Sequence, residues 1–223
     1  MCSLFRCTTQ RDLQVIVYVS PTDRLSLHDR INEYFKLRKK IFCDQLNWEK
    51  PKPYDLEYDE YDDFFNIYIL YVDDDSKQLH GGVRFMPTIG RTAIHKELQT
   101  QVNDPKEFVS PGIWEASRFC ALRGRNELRT EGMVNRAALA LSLASIEFCR
   151  ANDIKHIVGI CDEKFLSMAE SFGADGKIIS EVAGESEIKR YCCAWPARAD
   201  SEMLTWSRRF LRSDGPPILC NVT

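Results

Sequence analysis

The chain has 223 residues, 44% of them hydrophobic and 28% charged, which is enough apolar material for one sizeable core. A formal net charge of −3 with the signs balanced gives no general attraction for nucleic acid, and no apolar run approaches the roughly 20 residues that span a bilayer. The N-terminal M-C-S-L-F-R-C-T-T-Q-R lacks the apolar core and cleavage site of a signal peptide. Nine cysteines without a C-x-x-C pair or a Cys/His zinc spacing read as reduced, mostly buried thiols of a cytoplasmic protein with no bound metal. With no internal repeat and no flexible linker, one domain spanning 1–223 is expected, its tail loose after about residue 213.

Leu13 to Val19 is a short β-branched run, the first expected strand. Pro21, with Asp23 or Ser26 as cap, opens a helix to about Asp44, on which Leu27, Ile31, Tyr34, Ile41 and Phe42 recur at three- and four-residue steps. Arg38 falls one turn before Phe42, an arginine inside an apolar stripe. The stretch from Asn47 to Asp63, in which residues 54–63 interleave six acids with three tyrosines, reads as a solvated acidic loop, although its aromatics count against that. Phe65–Val72 and Leu79–Met86 form a hairpin pattern, with Gly81-Gly82 signalling a bulge or a close backbone approach. Arg84 is embedded between Val83 and Phe85. A short helix at 93–102 precedes W-E-A-S-R-F at 114–119, a strand that carries Glu115 and Arg118 among apolar neighbours.

Strict alternation on that strand puts Glu115, Ser117 and Phe119 on one face and Trp114, Ala116 and Arg118 on the other. A long alanine-rich helix within 126–152, a strand at 154–161, a helix at 163–172 closed by Gly173, strands at 177–182 and 188–195, and an amphipathic helix at 199–211 complete the order. Strands and helices so arranged predict an α/β (α+β) domain, a single mixed sheet flanked by helices on both faces.

Three arginines (Arg38, Arg84, Arg118) and three acids (Asp59, Asp62, Glu115) therefore lie in apolar or aromatic surroundings. Buried charges are costly unless paired, so a network of bidentate arginine–carboxylate pairs is expected, either as a structural cluster or as the wall of a pocket for a zwitterionic or cationic ligand. The residues that carry this set fall into five ordered blocks: R-x-x-x-F at 38–42, Trp48, E-x-D-x-x-D at 57–62, G-x-R-x-x-P-T at 82–88 and W-E-x-S-R-F at 114–119. Together they resemble the acyl-homoserine-lactone synthases (LuxI-type autoinducer synthases), strongly over roughly residues 30 to 125 and in outline elsewhere.

The resemblance implies a fold like the GNAT N-acetyltransferases, no cofactor, and two substrates, S-adenosylmethionine and an acyl thioester on acyl carrier protein or coenzyme A. It assigns Glu115, Arg118, Asp59 and Asp62 to the reacting centre, with Glu115 the first candidate base, Asp59 or Asp62 the second, and Arg118 either holding the substrate carboxylate or pairing with the acids. Arg38, Phe42, Trp48, Arg84 and Phe119 fall to the S-adenosylmethionine side. An acyl pocket is expected between the sheet and the long helix, lined by Phe85, Met86, Ser117, Met133, Leu141, Val158 and Gly159. Val158 and Gly159 offer no hydroxyl where relatives that take 3-oxo chains carry threonine, which leans against a 3-oxo substrate, and Gly159 leaves room for a bulkier chain. Asp162, Glu163 and Glu170 beside Lys164 make a poor basic patch for an acidic carrier protein. A different GNAT-type acyltransferase would show a glycine-rich pyrophosphate loop after the 114–122 strand, where R-G-R at 123–125 has one glycine. A non-catalytic relative would lack part of the charged set, which is whole here. Ser117 has no histidine placed as its base and reads as a hydrogen-bonding strand residue.

Overall fold

The computed structural model describes residues 14–50, 53–62, 65–73, 77–99, 104–122, 135–171, 173–182 and 188–197. The expected helix at 199–211, the tail and Met133 lie outside them. Among the described residues, seven strands form one mixed sheet in the order β1-β2-β3-β4-β5-β7-β6. β1 (Gln14–Val19), β2 (Ile67–Asp73), β3 (Leu79–Pro87) and β4 (Ile113–Ala121) are an antiparallel meander. β5 (His156–Asp162) joins β4 in parallel, and β7 (Arg190–Pro196) and β6 (Lys177–Glu181) extend the sheet antiparallel.

The parallel ladder is short. Only Ile113↔His156, Trp114↔Ile157 and Glu115↔Val158 are paired, after which β4 and β5 separate. Gly159 lies at that fork, where a Cβ on it would stand 2.6 Å from the Ala116 carbonyl oxygen. The space that its missing side chain leaves is thus filled by β4 backbone.

Helix α1 (His28–Arg38) covers one face, packing Ile31, Tyr34 and Leu37 against Tyr68, Leu70, Val72 and Cys120. Helix α3 (Arg136–Ala151) covers the other, its alanines allowing close approach to Ile69, Tyr71, Val83 and Phe85. The short α2 (Ala93–Leu98) packs Ile94 and Leu98 on Val158 and Cys192, and α4 (Glu163–Ser171) packs Leu166 on Cys161 and Cys193. The six described cysteines are buried free thiols.

Three expectations change. The first helix begins seven residues after Pro21, because Ser20 and Asp23 bond to each other (Ser20 Oγ to Asp23 Oδ2 2.6 Å) and close a separate 3₁₀ turn over Pro21–Asp23. Past Arg38 it continues to Gln45 as wider π-helical turns. The acidic stretch is solvated only in part: Tyr54 is 90% exposed, whereas Glu57 is 2% exposed and the carboxylates of Asp59 and Asp62 turn inward. The third change is on β4. Arg118 has φ 55°, and the β3–β4 register slips between Gly82↔Cys120 and Arg84↔Ser117, so Val83 faces a two-residue bulge. The bulge breaks the alternation: Arg118 joins Glu115 and Ser117 on the α1 face, and Phe119 packs with Ala116 toward α3. Gly81 and Gly82 meet both of their expected reasons, since a Cβ on Gly81 would lie 2.6 Å from the Cys120 carbonyl and one on Gly82 2.7 Å from the Tyr34 ring.

Candidate active site

The charged set is assembled on the α1 face at the end of the sheet where β4 and β5 part. Arg38, projecting from the last turn of α1, donates from Nη1 and Nη2 to the two Asp62 oxygens at 2.8 and 2.9 Å and from Nε to Glu57 at 2.5 Å. Arg84 on β3 grips Asp59 through Nη1 and Nη2 at 2.5 and 3.0 Å, touches Asp62 at 2.9 Å and donates from Nε to Ser117 Oγ at 3.1 Å. Arg118, swung over by the bulge, meets Glu49 at 2.7 Å, Asp59 at 3.0 Å and Glu57 at 3.1 Å, with its guanidinium 5.3 Å from the Phe42 ring. Tyr34 donates to the Arg118 carbonyl at 2.7 Å and so holds the bulge from α1.

Burial alone would raise the Asp62 carboxyl, but Arg38 and Arg84 outweigh it and hold that group well below the usual carboxylate range. Glu115 is the exception to the pairing. It is 1% exposed and accepts the Ile94 backbone N–H at 2.8 Å, with no arginine at ion-pair distance among the described residues. Burial pushes its carboxyl up, against the opposing pull of the Ile94 hydrogen bond and the more distant Arg84. The network thus contains Glu57 and Glu49, not Glu115, as arginine partners. Glu57 stood in the E-x-D-x-x-D block and was legible there as a residue of interest. Glu49 had no signal beyond its neighbour Trp48.

A cavity of about 970 Å³ runs through the fork from one face of the sheet to the other. Its α1-side arm is bounded by Phe42, Trp48, Glu49, Asp59, Tyr61, Glu115 and Arg118, and the Phe42 and Trp48 rings are 5.8 Å apart. Ser117 and Phe119 lie in the wall between the arms. On the α3 side the wall is Val83, Phe85, Ile146, Ile157, Met168 and Trp195.

Of the residues expected at the centre, Glu115, Arg118 and Asp59 reach this cavity, and Asp62 lies beneath it, saturated by Arg38, Arg84 and Tyr68. Phe42, Trp48 and Phe119 line the cavity, while Arg38 and Arg84 are wholly buried behind the acids that do. Of the expected acyl-pocket residues, Phe85, Ser117 and Gly159 line it. Met86, Leu141 and Val158 do not: Leu141 is packed inside the α3 core and Val158 faces α2. Ser142, Ser145, Ile146 and Met168 line it instead. They are neighbours of Leu141 on α3 or sit on α4, and helical periodicity alone does not choose between adjacent faces. The Ser145 hydroxyl is engaged by the Leu141 carbonyl at 2.7 Å.

Chemically, this arrangement offers anionic and aromatic surroundings for a cation on one side, a dry slot for a chain on the other, and a carboxylate poised to accept a proton where they meet. The family profile described as autoinducer synthase matches residues 23–204. A probable acyl-homoserine-lactone synthase of Sinorhizobium fredii is 26% identical over 188 residues, 84% of this chain and 90% of that protein. Among solved structures, the CoA-dependent acyl-homoserine lactone synthase BjaI, with S-adenosylmethionine and isopentyl-CoA, superposes with a TM-score of 0.73 at 23% identity over 89% of each chain. A structure assigned to the N-acetyltransferases, from Lactobacillus plantarum, superposes at 0.50 with 14% identity over 83% of this chain and 99% of that one, so the fold is GNAT-like.

Proposed function

This chain belongs to the autoinducer synthase family, and we propose that the two arms of its cavity divide the work of an acyl-homoserine-lactone synthase. The observation that carries the reading is the continuity of an acid- and aromatic-lined arm with an apolar arm through the β4–β5 fork, with Glu115 at the junction. S-adenosylmethionine occupies the α1 side, its sulfonium and amine facing carboxylates and the Phe42 and Trp48 rings. The acyl chain lies on the α3 side, and its thioester carbonyl meets the amine at the fork.

The amine gives its proton to Glu115, directly or through one water, and attacks the carbonyl. Among the cavity-lining carboxylates, Asp59 is spent on Arg84 and Arg118, whereas Glu115 holds no cation among the described residues and has the raised proton affinity suited to a base. The oxyanion finds backbone N–H donors in the bulged wall at Arg118 and Phe119. Collapse of the tetrahedral intermediate forms the amide and releases the thiol. The methionine carboxylate then displaces methylthioadenosine from the γ-carbon and closes the lactone. The sulfonium is already a good leaving group, so this step requires mainly that the chain be held curled.

The acyl donor is a thioester, and we infer coenzyme A because the surface around α4 offers an acidic carrier protein little to bind. Glu163, Glu170 and Asp175 are exposed around α4 against Lys164, which repels an acidic carrier protein. Coenzyme A is also the donor of BjaI. Purified protein incubated with S-adenosylmethionine and matched panels of acyl-CoA and acyl-carrier thioesters should yield methylthioadenosine and an acyl-homoserine lactone by mass spectrometry, with higher kcat/KM on the CoA panel. Failure to form either product in every panel would sink the synthase reading, and equal or better rates with carrier protein would sink the choice of donor.

A further inference from the structure

The substrate assigned above carries a carboxylate as well as two positive groups, and the acidic arm has no obvious place for it. Carboxylates of Glu49, Asp59, Glu60 and Glu115 all border that part of the cavity. The network arginines are committed: Arg38 and Arg84 use Nε, Nη1 and Nη2 on Glu57, Asp62, Asp59 and Ser117, and Arg118 is held by Glu49, Glu57 and Asp59. Three guanidinium groups thus face four carboxylates, a set with no positive charge to spare.

Among the described residues, one further arginine borders the cavity. Arg190, the first residue of β7, places its guanidinium 5.9 Å from the centre of the Trp48 ring. Among the described residues no carboxylate engages it. Asp162, opposite it in the β5–β7 register, caps α4 instead by accepting the Phe165 backbone N–H at 2.8 Å. The Trp48 indole N–H is buried and likewise without a hydrogen-bond acceptor among the described residues. A cation without a carboxylate partner, beside an indole whose N–H lacks an acceptor, at one wall of a mainly acidic arm, makes a site for a carboxylate. Lys96, another described cation on the wall, is an exposed point charge on α2.

We propose that Arg190, aided by the Trp48 N–H, holds the carboxylate of S-adenosylmethionine and so positions the group that later closes the lactone. This rests on the synthase reading. It separates the substrate's charges, with amine and sulfonium toward the carboxylates of β4 and the acidic loop and the carboxylate toward β7.

Equilibrium binding of S-adenosylmethionine and of its decarboxylated form, which keeps the sulfonium and the amine, tests it in wild type, Arg190→Met and Arg190→Lys. Wild type should prefer the carboxylated ligand by about ten- to a hundredfold, the span of a charge-assisted hydrogen-bonded pair. The Met variant should lose that preference by weakening only the carboxylated ligand, the Lys variant should retain part of it, and acyl-CoA affinity should be unchanged in both. An undiminished preference in Arg190→Met overturns the assignment alone, as does a fall in acyl-CoA affinity with S-adenosylmethionine binding intact, which would place phosphates at Arg190. If the Met variant does not fold by circular dichroism, the Lys and Gln variants carry the same comparison with the same two outcomes. A wild type that binds no S-adenosylmethionine overturns the synthase reading itself.

Discussion

Two buried carboxyl groups have opposite fates in this site. Asp62 is tied to two arginines and a tyrosine and stays ionised to low pH, whereas Glu115 is dry, holds one backbone N–H and takes up its proton early. Removing one partner of a buried pair strands the others, so Asp62→Asn should cost on the order of 3–5 kcal/mol by urea unfolding. A loss under about 1 kcal/mol would show the pairs to be dispensable for the fold. For Glu115→Gln, kcat should fall by roughly 10²- to 10⁴-fold if the carboxylate takes the amine proton. In wild type the acid limb of kcat/KM should lie above the ordinary glutamate range, since the group must be deprotonated and burial raises its pKa. Stability carries the same sign. A raised folded pKa gives a contribution fully present below the unfolded pKa and lost as pH rises through the folded one. Wild type should therefore lose stability relative to Glu115→Gln as pH climbs through that window, and a pH-independent difference between the two would contradict a raised pKa.

At the scale of elements, the fork between β4 and β5 makes the cavity, and it depends on Gly159. Its Cβ would collide with a main-chain carbonyl that cannot rotate away. Gly159→Ala should cost about 1–3 kcal/mol, while Gly112→Ala, whose added methyl would have the Lys155 Cγ at 3.5 Å as its nearest neighbour, should be close to neutral. Similar urea midpoints for the two variants would show that the strands give way without cost. The sequence reads well where one element decides its own structure. The apolar, β-branched or aromatic runs of β1, β2 and β3 and the alanine stripe of α3 are local patterns, and each forms close to its expected place. What depends on a neighbour is hidden. The bulge at Arg118 exists only relative to β3, and it reverses the face expected for Arg118 and Phe119. The late start of α1 follows from Ser20 spending its side chain on Asp23. The five blocks name most of the charged set because their spacing is unusual, but burial of an acid does not reveal its partner, so Glu115 is legible as buried and Glu57 is not legible as what Arg38 holds.

For the whole molecule, the sheet is the partition between two binding arms, and helices on opposite faces supply their outer walls. The arms meet only at the fork, so a change deep in one should leave the ligand of the other untouched. Ile146 on α3 lines the apolar arm, on the far side of the sheet from Phe42 and Trp48. Ile146→Trp should shorten the longest acyl chain accepted. A methylene is worth about 0.8 kcal/mol when buried, so each one denied its place should lower kcat/KM about fourfold. The affinity for S-adenosylmethionine should stay within about twofold of wild type, because the added indole does not reach the α1 side. A scan of acyl thioesters of increasing length, with S-adenosylmethionine binding measured in parallel, separates the possibilities. An unchanged length profile would place the chain elsewhere than against α3. A shorter profile joined to weakened S-adenosylmethionine binding would mean that the fork transmits strain and that the two arms are one site.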